Sequence, residues 1–111
     1  MKTMGLWTWI RRASDAKIVE QQVETLVARQ VNRIREAVEP RTFTLSQAEA
    51  RGYIRAKAVR LLADALVTRT ETEVPARLAA QILGTAAERV TGVLLERRHR
   101  VAAPTRLRRA A

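Results

Sequence analysis

Apolar residues return at every third or fourth position through three long segments of this chain. A chain patterned in this way is confined to amphipathic helices packed on one another. The third segment shows the pattern most fully. From Pro75 to Leu94, the residues Leu78, Ala79, Ile82, Leu83, Ala86, Val90, Val93 and Leu94 fall in one stripe of a 3.6-residue helix. After Glu96 the stripe changes character. Arg97 and Arg100 stand where it calls for Leu or Val, Arg98 and His99 fill the other sides, and Arg106, Arg108 and Arg109 follow. The helix is expected to run to about Val101, with Pro104 closing it before an arginine tail.

The first segment carries Val19, Val23, Leu26, Val27, Val31, Ile34 and Val38 on one face, with Gln30 inside that stripe. Ser14 or Asp15 can cap its start, and Pro40 opposes its continuation. A buried Gln30 needs a hydrogen-bond partner and would then fix helix register. The second segment opens at Ser46-Gln-Ala-Glu49, a capping box, and carries Ile54, Ala58, Leu61, Leu62, Ala65 and Leu66 to about Arg69. Between the second and third segments, Thr72 can cap, Glu71 and Glu73 suit a helix start, and Pro75 is tolerated in a first turn.

Three helices of about 24 residues joined by short turns predict an all-α, antiparallel up-down-up bundle about 35 Å long. Residues 1–13 form a Trp-containing N-terminal arm or short helix, residues 14–102 the bundle, and residues 103–111 the Arg-rich tail. Antiparallel packing of the first two helices would bring Glu20 to Arg69. Glu96 with Arg100 and Glu73 with Arg77 have the spacing of surface ion pairs. Ala76, Ala80 and Gly84 form a row of small residues that would admit a second backbone, although Ala is also simply a good helix former. Helices two and three are apolar over about half their circumference, wider than a bundle stripe of about 100°. Tyr53, Val67 and Leu95 widen them further, so the chain is expected to self-associate or pack into a larger assembly.

The formal charge of +10 is unevenly spread. Residues 1–12 carry Lys2, Arg11 and Arg12 with no acid, residues 97–111 carry six arginines with no acid, and the body between has 12 basic and 11 acidic residues. Of the 21 basic residues 18 are Arg, whose planar fork suits phosphate and carboxylate. Terminal blocks of like charge read as interaction arms.

Reactive chemistry is not suggested. The chain has no cysteine and a single histidine, His99, so neither a disulfide nor a zinc site is expected, and its four glycines are too scattered for a phosphate-cradling loop. No cofactor and no enzymatic activity are expected. The start of the chain does not read as a secretory signal, and no apolar run approaches the ~20 residues that span a bilayer, so the expected location is cytoplasmic.

Two functional readings follow. In the first, Arg97, Arg98, Arg100, Arg106, Arg108 and Arg109 bind an anionic partner, foremost nucleic acid phosphates, with little base readout. In the second, the chain is a structural or adaptor subunit of a protein or membrane-associated assembly. It would dock through wide apolar faces and through Leu6, Trp7, Trp9, Ile10, Arg11 and Arg12. Peripheral membrane contact through that arm is the weaker form of the second reading.

Overall fold

The computed structural model describes the backbone of residues 2–70 and 74–110, and side chains at residue 10 and over residues 12–68 and 74–101. The fold is an all-α bundle of three helices packed against each other: α1 (Lys2–Thr42), α2 (Gln47–Thr70) and α3 (Ala79–Ala110). A single 3₁₀ turn, Ala76–Leu78, leads into α3 after Pro75, and the Leu78 N–H donates to the Pro75 carbonyl at 3.0 Å. No strand occurs among the described residues.

The helices outrun the expected boundaries at three places. No break or cap occurs at Ser14 or Asp15, because α1 is already helical from Lys2. Nor does Pro40 stop α1, which ends two residues later at Thr42. Proline at that depth removes only one ladder bond, the one to the Glu36 carbonyl, in the last turn. Likewise α3 passes Pro104 and continues to Ala110. The molecule is accordingly 68 × 29 × 20 Å, nearly twice the expected length, and the 41 residues of α1 alone account for about 61 Å.

The core occupies only the middle of this rod. It takes Val19, Val23, Leu26, Ile34 and Val38 from α1, and Ala50, Ile54, Ala58, Leu62 and Leu66 from α2. Val74, Leu78, Ile82, Ala86, Ala87, Val90 and Leu94 complete it. On α2 the buried residues recur at a strict spacing of four, with Leu61 and Ala65 half-buried beside them. Val93, expected in the α3 stripe, is exposed, while Ala87 and Thr91 are buried in its place. Thr91 is satisfied there by donating its hydroxyl to the Ala87 carbonyl at 2.7 Å. By length and composition alone, Ala76–Val101 could cross a bilayer. Large apolar runs do not mark this segment, whose hydropathy comes partly from its alanines. Its buried residues are covered by α1 and α2.

The capping box forms as its sequence requires. The Ser46 N–H donates to Glu49 Oε1 and the Glu49 N–H to Ser46 Oγ, each at 3.2 Å. Hydrogen bonding from Ser46, its side chain foremost and then its backbone N–H, holds the Glu49 carboxyl below the usual carboxylate range.

Charged pairs tie the helices along their length. Arg77 meets Asp15 at 2.8 Å, Arg89 grips both oxygens of Glu20 at 2.9 and 3.2 Å, and Arg97 meets Glu39 at 3.1 Å. Arg55 of α2 pairs with Glu88 of α3. Positions on α1 and on the third segment thus rise together. Glu20 is engaged by Arg89; the Arg69 side chain, its expected partner, lies outside the described residues, as do Glu71, Thr72 and Glu73. Arg77, expected with Glu73, is taken by Asp15. Arg100 and Glu96 form no ion pair among the described residues, and the pair at that spacing is Arg35–Glu39, at 3.3 Å. Around Gly84 an added Cβ would meet nothing within 4 Å among the described residues, so no neighbouring backbone approaches that end of the small-residue row there.

Candidate anion-binding end of the bundle

At one end of the core, the C-terminus of α1, the turn to α2 and the outer part of α3 meet. The last carbonyls of a helix lack intrahelical donors and carry the negative end of the macrodipole, so cations collect there. Four arginines are engaged at this end among the described residues. Arg98 reaches from α3, its Nε–H donating to the Thr42 carbonyl at 2.9 Å and its Nη2 to the Leu45 carbonyl at 2.5 Å. Arg97 donates from Nε to Glu39 Oε1, while Arg35 donates to Glu39 Oε2, so one carboxylate is shared between two helices. Arg41 lies over the Tyr53 ring, 5.5 Å from its centroid, in a cation–π contact. Thr42 and Thr44 close the turn through hydroxyls donated to the carbonyls of Glu39 and Arg41.

The expected anion-binding arginines are therefore not equivalent. Arg97 and Arg98 are half-buried and committed to the α1 end, whereas Arg100 is exposed beside an exposed His99. Arg51, in the first turn of α2, is exposed at the same end. The side chains of Arg106, Arg108 and Arg109 lie outside the described residues, although the α3 backbone carries those positions in helix. The crevice between Phe43, Ile54, Leu94 and Arg97 holds only about 10 Å³, barely the volume for one water. Binding at this end would occur on its surface rather than in a cavity.

Of the expected docking residues on the N-terminal arm, Ile10 and Arg12 are exposed. The side chains of Leu6, Trp7, Trp9 and Arg11 lie outside the described residues. α1 carries this stretch as a helix ahead of Asp15, the first α1 residue paired with the third segment.

Glu39, Thr42 and Leu45 had no sequence signal as arginine partners. They lie 53–58 residues away, and only the packing of α1 on α3 makes them neighbours. A second feature, also unforeseen, is an open groove of about 410 Å³ between α1 and α2, lined by Leu26, Arg29, Gln30, Arg33, Asp64, Ala65 and Thr68. Gln30, expected to be satisfied and to set register, is half-buried with an Oε1 that accepts no hydrogen bond among the described residues.

Comparison of the chain with protein-family models, curated proteins and solved structures finds no match.

Proposed function

We propose that this chain is a non-enzymatic, up-down-up helical module that presents a rigid arginine-bearing helix end to an anionic partner, foremost the phosphates of a nucleic acid. The direction of the helices is inferred from neighbouring positions, which rise together between α1 and the third segment and run oppositely between α2 and that segment, where Arg55 meets Glu88 and Leu66 lies beside Ala79 and Leu83. The observation that carries the binding reading is the clasp of Arg98 on the Thr42 and Leu45 carbonyls. It fixes α3 against the end of α1, and the same helix then continues to Ala110 past Arg100. A helical backbone that carries arginines loses less freedom on binding phosphate than an irregular tail would. In this reading Arg97 and Arg98 position the helix, and Arg100, Arg106, Arg108 and Arg109 meet phosphate.

The test is binding of a fluorescent RNA and a duplex DNA as a function of salt, for the full chain and for one ending at Ala103. Full-length binding should weaken steeply with salt. Removing Arg106, Arg108 and Arg109 should flatten the log–log slope by roughly 2–3. Binding that survives truncation with its slope unchanged would exclude the C-terminal helix as the site.

A second reading, a subunit of a homo-oligomer or larger assembly, is favoured by the apolar surface left uncovered. Ile10, Phe43, Val93 and Val101 are each 44–47% exposed. An apolar groove of about 340 Å³ also runs between Leu66 of α2 and Ala79, Ala80 and Leu83 of α3. Sedimentation that gives a monomer at tens of micromolar removes the homo-oligomer.

A further inference from the structure

The groove between α1 and α2 has a donor and acceptor pattern of its own, separate from the arginine end. Arg29 and Arg33 stand one helical turn apart on its α1 wall, both exposed and neither in an ion pair among the described residues. Facing them on α2, Asp64 also has no cationic partner among the described residues. Thr68 is occupied, its hydroxyl donating to the Asp64 carbonyl at 3.3 Å. Between the walls lies Gln30, whose Oε1 is shielded from solvent and unpartnered, an arrangement that disfavours the empty groove. Leu26 and Ala65 supply an apolar floor. The volume, about 410 Å³, is that of a small-molecule site.

A fitting occupant must bring an anionic group to Arg29 and Arg33 and, within the same groove, neutral hydrogen-bond donors to Gln30 and Asp64. A densely acidic peptide fails the second condition, because its next carboxylate would confront Asp64. A simple anion such as phosphate leaves the Gln30 oxygen unmet. A ribonucleotide meets both, with one phosphate beside ribose hydroxyls and base N–H groups and an apolar base face for the floor. We propose that this groove binds a ribonucleotide unit, its phosphate held by Arg29 and Arg33 and its ribose hydroxyl or base N–H donors received by Gln30 and Asp64. The half-buried Gln30 amide turns outward to meet that donor. The groove is independent of the C-terminal arginines and stands or falls apart from them.

The experiment follows backbone and Gln side-chain amides of the ¹⁵N-labelled full chain. The probes are uridine monophosphate, a ten-residue oligouridylate, its deoxy counterpart and a ten-residue oligoglutamate. Shifts are expected over residues 26–33 and 64–68 with both ribonucleotide probes. A strand that binds roughly tenfold or more tighter than the monophosphate identifies RNA as the source, and equal affinity identifies the free nucleotide. The Arg29→Ala/Arg33→Ala chain, altered only at exposed positions, should keep its spectrum and lose roughly tenfold in affinity. Gln30→Leu should erase the preference for ribose over deoxyribose, and a chain with Arg106, Arg108 and Arg109 changed to Ala should retain the groove shifts. The proposal is overturned if these amides stay silent at about millimolar probe, if the shifts survive loss of both arginines, or if oligoglutamate produces them equally. Oligouridylate binding that moves only the C-terminal end would overturn the groove and leave the arginine helix standing.

Discussion

Ser46 and Glu49 show how far a single pair can be followed. Each supplies the other's missing backbone partner at the start of α2. Ser46→Ala should cost about 1 kcal/mol in chemical denaturation, the ordinary value of a helix cap. The depressed Glu49 carboxyl adds a pH dependence with a definite sign. Its contribution is fully present above the unfolded carboxyl value near 4.5 and is lost as pH falls through the lower folded value. Glu20, lowered chiefly by its hydrogen bonds from Arg89, behaves in the same sense. Stability should therefore decline as pH drops below about 4.5, and the decline should be shallower in a chain with both Glu20→Gln and Glu49→Gln. Arg98→Ala removes donors from two carbonyls, and a loss of about 1–2 kcal/mol is expected in the same measurement.

At the level of helices, what could be read in the sequence was whatever depended on near neighbours. The apolar stripes and the capping box are short-range patterns, and they mark the apolar core of α1 and most of that of α2 and α3, missing Ala50 and Ala87. Boundaries failed where a local stop signal met a helix able to continue. Ser14 and Asp15 are good caps but also acceptable helix residues, and nothing in their neighbourhood reveals which role they take. Pro40 and Pro104 each forfeit one ladder bond, a loss their helices absorb. The arginine end was visible only as charge. Which arginines turn inward depends on Glu39 and Thr42, brought to them by packing across more than fifty residues. Gly52 and Gly92 offer a direct test of how the helices are built. Both are exposed, with open space where a Cβ would stand. Changing either to Ala should stabilise the bundle by about 1 kcal/mol, readable as a rise of several degrees in Tm.

Across the whole molecule, length and core are mismatched. A compact chain of this size has a radius of gyration of about 13 Å. Here it is 18.0 Å, because every core residue among the described ones lies between Val19 and Leu94 while α1 and α3 extend beyond. Small-angle scattering of the monomer should give the larger value. A chain ending at Val101 should unfold with nearly unchanged midpoint, since it keeps every core residue among the described ones. The pairs between α1 and the third segment share one polarity. Among the described residues the acid comes from α1 (Asp15, Glu20, Glu39) and the guanidinium from its partner (Arg77, Arg89, Arg97). Two copies of α3 laid side by side would oppose arginine to arginine, and a shifted α1 would lose its matches together. Cut between α2 and the third segment, the chain would become two fragments that recognise each other but not themselves, the property that a split reporter requires.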